Sequence, residues 1–157
     1  MVGMREEAPD NAEPATLRAV RRWLLAILVV ACIGTLIELL LLDHDEDVWQ
    51  LVPLVLLSAG IVCAAWATIR PSAAAVRSLQ ALMCLFVASG GAGLYFHYSA
   101  NVEFQRDLDP SLASMALFWK VMAAKAPPAL APAVMAQLGL IGLVFSYRHP
   151  ALGRKQA

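Results

Sequence analysis

Paired cysteines are missing from this sequence. Its three, Cys32, Cys63 and Cys84, stand one to an apolar segment with no CxxC spacing, which argues against a disulfide framework and a thiol-redox motif. They read instead as small packing residues. Also missing are a phosphate-binding glycine loop, an HExxH or paired ExxH motif and an EF-hand loop, so the usual spacings for nucleotide, zinc or calcium chemistry do not occur. Ser58, Ser89, Ser111 and Ser114 lack a histidine–acid setting, which leaves hydrolase chemistry without support. No motif for nucleic-acid binding is present either.

Charge is scarce where the chain is most apolar. Charged residues make up 15% of the chain, and Glu38 is the one acid inside an apolar segment. What fills the sequence is hydrocarbon: 60% of its 157 residues are apolar, against about 45–50% in soluble proteins. These residues fall in four blocks, about 23–42, 48–68, 79–98 and 130–147, each reaching or approaching the ~20 residues that cross a bilayer. The expected fold class is therefore an all-α integral membrane four-helix bundle. The expected organisation is a disordered tail (1–15), a four-span membrane domain (16–149) and a second tail (150–157). The first apolar run continues to Leu42, too long for a signal-peptide core, and reads as an uncleaved span.

The zero formal net charge hides an asymmetry. Four spans put both termini and the span two–three connection on one side, with Arg5, Arg18, Arg21, Arg22, Arg70, Arg77, Arg148, Arg154 and Lys155. The other side holds only Arg106, Lys120 and Lys125, beside Asp43, Asp45, Glu46, Asp47, Glu103, Asp107 and Asp109. The positive-inside rule then places both termini in the cytoplasm of a bacterial-type inner (plasma) membrane.

Local signals refine the picture. Thr16 is a candidate cap for the first helix, and Trp23 suits headgroup depth. The connection from Pro71 to Val76 is short, which makes spans two and three antiparallel neighbours. In the third span Gly90, Gly93 and His97, with Asn101 if the helix continues, share one face; glycines there mark close helix contact. Asp109-Pro110 resembles a helix cap followed by proline at the first helical position. Leu112, Met115, Trp119 and Met122 then recur at helical spacing, which predicts an interfacial amphipathic helix over about 110–124, in the outer loop between spans three and four.

The polar residues bordering the spans gather at the outer level. Glu38, Gln50, His97, Asn101, Glu103 and Gln137 form a candidate ligand pocket there, roofed by the amphipathic helix. Intramembrane carboxylates usually face an interior or a wet cavity. His44, His97 and Glu38 add an imidazole–carboxylate set of the type that holds a divalent transition metal. No cofactor is expected, with such a metal as the alternative.

The leading expectation for function is a non-enzymatic accessory, assembly or interaction protein. Its partners would be the lipid bilayer and another membrane protein or a homo-oligomer, with no nucleic acid. The alternative is small-ligand or metal-ion binding, for transport or sensing, through the outer pocket. The third reading is a membrane enzyme using Glu38 or His97 as its acid–base group.

Overall fold

The computed structural model describes residues 13–44 and 47–153. Six helices follow in chain order: α1 (Ala15–Leu41), α2 (Val48–Ile69), α3 (Ala73–Leu108), α4 (Ser114–Met122), α5 (Ala133–Ser146) and α6 (Pro150–Gly153). The expected tail at 1–15 and the acids Asp45 and Glu46 lie largely or wholly outside the described residues, as do residues 154–157.

Helices α1, α2 and α3 are each long and apolar enough to cross a membrane. Helix α5 is apolar but has 14 residues, or about 21 Å at the standard rise. The segment expected as a span from Leu130 thus becomes α-helical only at Ala133. Pro127, Pro128 and Pro132 supply no amide donors. The chain before α5 winds in tighter i→i−3 turns, with Ala131 donating to Pro128, Ala133 to Leu130 and Met135 to Pro132.

The four longer apolar helices close a ring of contacts: α1 packs against α2 and α5, and α3 packs against α2 and α5. Leu28, Leu57, Leu79, Met83, Phe86 and Leu138 fill its centre. The outer surface is just as oily, with Trp23, Val30, Leu41, Val55, Val62 and Ile69 all exposed. A soluble protein rarely shows so continuous an apolar exterior; hydrocarbon solvates it readily.

Backbones approach closely only where glycine permits. A Cβ on Gly90 would lie 2.6 Å from the Ala136 nitrogen, and one on Gly139 would lie 2.7 Å from the Met83 carbonyl oxygen. Small residues thus set the α3–α5 separation.

Several helix limits differ from the sequence expectation. Helix α1 starts after Pro14 with no side-chain cap, so Thr16 lies within it. Helix α3 runs ten residues past Tyr98, to Leu108. Asp109 therefore closes α3 rather than opening the next helix. Its carboxylate accepts from the Ser111 amide at 3.1 Å and hydroxyl at 2.6 Å, a local Asx turn, and these bonds hold it below the usual carboxylate range. Helix α4 then begins at Ser114, with Leu117 and Val121 buried and its packing directed against α3. Pro150–Gly153, expected as tail, forms α6.

Candidate functional site

The shared face of α3 meets the chain that leads into α5, step by step. Gly90 lies against Ala136 and Gly93 against Pro132. His97 Nδ1 lies 3.0 Å from the Pro128 carbonyl, which makes Nδ1 the protonated nitrogen, and Asn101 Nδ2 donates to the Pro127 carbonyl at 2.8 Å. Asn101 is 1% exposed. The two polar side chains therefore tie down the proline loop, where the Pro128 carbonyl also accepts from the Ala131 amide.

The other candidate residues differ in exposure. Glu38, on the last turn of α1, is exposed and makes no side-chain bond among the described residues. The buried stripe of α1 runs through Leu25, Leu28 and Cys32, and Glu38 lies off it, near the C-terminal end of the helix. Glu103 and Gln137 are also exposed, and Gln50 is half-buried in the first turn of α2. His44 is half-buried; burial and then the nearby His97 charge lower its pKa. Among the described residues, no three His, Cys, Asp or Glu side chains are grouped to hold a metal ion. Helix α4 stands against α3.

The most elaborate polar arrangement lies at the opposite end, on a residue the sequence reading treated only as an interfacial charge. Arg21 is 7% exposed. It falls four, seven and eleven residues before Leu25, Leu28 and Cys32, on the buried face of α1. Its guanidinium reaches the C-terminal end of α5, donating to the carbonyl of Phe145, to that of Tyr147 at 2.9 Å and to that of Arg148 at 3.3 Å. Glu13 takes the Nε proton at 2.5 Å.

A helix end leaves carbonyls without intrahelical donors, and here nearly every one is accounted for. Ser146 Oγ serves Leu143 and the Tyr147 amide serves Val144. The His149 amide and Gln80 share Ser146. Arg21 takes the rest. A cation at this position also opposes the negative end of the α5 dipole. The chain reverses at Arg148, with φ of 48°, a conformation costly for a residue with a Cβ.

His149 follows this turn. Its Nδ1 accepts from the Ala151 amide at 3.2 Å, which orders α6, and its ring rests on Phe145 with centroids 5.3 Å apart. Burial lowers its pKa, the Arg21 charge lowers it further, and Glu13 opposes. The folded state therefore favours neutral imidazole. The stability this contributes is full above the unfolded histidine value of about 6.5 and is lost as pH falls through the lower folded pKa. Acidification from pH 7.5 to 5.5 is expected to lower the melting temperature in detergent and to speed exchange of the Ala151 amide, and His149→Gln is expected to blunt both trends.

Between these groups opens a cleft of about 370 Å³. Leu25, Ala67 and Phe145 give it apolar walls, and the buried Arg21 with its partner Glu13 and the exposed Arg18 and Arg22 also line it. The Arg18 and Arg22 side chains are exposed and make no hydrogen bond or ion pair among the described residues.

Compared with known proteins, the chain matches no family model, no curated protein and no solved structure.

Proposed function

We propose that the chain is a four-span, non-enzymatic inner-membrane protein, with both termini in the cytoplasm, that pairs with a second copy of itself along α3. The charge asymmetry supports the orientation, and the ring formed by α1, α2, α3 and α5 supports the four-helix bundle. In this arrangement α4 lies at the outer interface, with Met115, Phe118 and Trp119 exposed as interfacial side chains.

The observation that carries the pairing is a contrast between outward faces. Helices α1 and α2 turn Ile27, Val30, Ile37, Val55 and Val62 outward. Helix α3 turns out Ala81, Cys84, Ala88, Gly91 and Ala92, with Leu85 and Tyr95 the larger side chains among them, and a Cβ on Gly91 would meet nothing within 4 Å. Small outward residues suit a neighbouring helix better than lipid. Beyond the apolar stretch, Arg106 is exposed eighteen residues after Ala88, five turns along the same face, with exposed Glu103 one turn before it. Two copies inserted alike run α3 parallel about a twofold axis, and this face then offers both charge signs to its mate.

Cys84 makes the test direct. Membrane-permeable thiol oxidation in native membranes is expected to give a covalent dimer that disappears in Cys84→Ala and persists in Cys63→Ala. Gly91→Leu should reduce the crosslink about fivefold, equivalent to roughly 1 kcal/mol of pairing. Monomer alone would refute the pairing. A different protein captured at Cys84 would replace self-association with hetero-docking on the same face.

A further inference from the structure

We propose that the cleft at the arginine-rich end binds the headgroup and upper chain of an anionic amphiphile, a membrane phospholipid with a phosphate or carboxylate head. The chemistry of the lining points to a two-part ligand. Leu25, Ala67 and Phe145 line a slot of about 370 Å³, which suits hydrocarbon rather than a hydrated ion. Three arginines against one glutamate leave an excess of two positive charges around it.

The three arginines do different work. Arg21 is consumed: Glu13 and the α5 carbonyls hold its donors, so it is a fixed part of the lining. Arg18 and Arg22 are the open positions. They sit one turn apart on α1, without partners among the described residues, and a guanidinium pair at that spacing matches the oxygens of one phosphate.

Depth agrees with chemistry. Trp23, the next residue, is 71% exposed on the apolar exterior, where an indole marks headgroup level. The cleft therefore lies at the depth where a lipid head resides. A basic pocket between spanning helices is a physical basis for selecting anionic lipid. This inference is independent of α3 pairing, and Cys84→Ala leaves the cleft untouched.

The test uses the full chain in nanodiscs or detergent micelles, with binding of phosphatidylglycerol and phosphatidylcholine followed by native mass spectrometry. One phosphatidylglycerol per chain is expected in preference to phosphatidylcholine. The R18Q/R22Q double variant should bind it about thirty-fold more weakly, the effect of removing two interfacial cations. K120Q, which removes a cation at the other end, should bind as wild type does. Lipid-free melting of R18Q/R22Q should match wild type, since neither arginine bonds within the described fold. Equal uptake of the two lipids, or equal loss in K120Q, would overturn the proposal. Displacement by millimolar inorganic phosphate would assign the site to a free anion and overturn the lipid.

Discussion

Arg21→Ala is expected to destabilise the protein by about 3–5 kcal/mol, the cost of breaking a buried ion pair from one side. The loss has two sources that further variants separate. One is the ion pair with Glu13, whose side chain is only 13% exposed. The other is the set of α5 carbonyls left without donors, each costing about 1–3 kcal/mol if it stays dry. If the pair alone mattered, removing both charges in Arg21→Met with Glu13→Leu would recover most of the stability, as it often does for buried pairs. Because the guanidinium also closes α5, the double variant is expected to stay close to Arg21→Ala. Arg21→Lys keeps the charge but loses the planar fork and should recover only part. Reversible unfolding in mixed micelles distinguishes these cases. Full rescue by the double variant would reduce Arg21 to an ion-pair member.

The second large effect concerns the α3–α5 contact. Gly90→Val and Gly139→Val are expected to cost about 3 kcal/mol each, the upper end for overpacked cores. The added Cβ would meet backbone atoms in both cases, Ala136 N and Met83 O, and backbone yields only if a helix moves. Gly142→Ala should cost less, near 1 kcal/mol, because its new methyl faces the Met83 thioether, which can rotate aside. Gly34→Ala, with nothing within 4 Å, should gain up to about 1 kcal/mol of helix propensity. The same unfolding measurement ranks all four. Equal costs at Gly34 and Gly139 would show that helix propensity, not contact, decides.

The contrast between these two regions explains what was legible in the sequence. The face formed by Gly90, Gly93, His97 and Asn101 follows from helical spacing, and its contacts with Ala136, Pro132, Pro128 and Pro127 keep that order. The three long helices follow from apolar run length. The length of α3 did not, because Glu103, Arg106 and Asp107 end the apolar pattern but do not end a helix; charged residues remain good helix formers in water. The fate of Glu38 was ambiguous because one turn below a boundary is shallow enough for a carboxylate to stay wet. Arg21 shows the converse: basic residues beside a span suit the interface, so a structural arginine among them blends in. Its register with Leu25, Leu28 and Cys32 was the available signal. The partners that make it matter, the carbonyls at the end of α5, lie more than 120 residues away.

The brevity of α5 has a bearing on the lipid around the protein. Its 14 residues cover about 21 Å, while a bilayer offers about 30 Å of hydrocarbon. Helix α3, with 36 residues, has length to spare. In the four-span arrangement proposed above, the α5 flank is thus low for the bilayer, whereas α3, packed beside it, carries its extra length in a polar C-terminal extension. Lipids beside the low flank compress to meet it, at a cost of a fraction of a kcal/mol per ångström of mismatch. That deformation relaxes where the membrane is already thin, so in that arrangement a thinner bilayer is expected to suit this protein best.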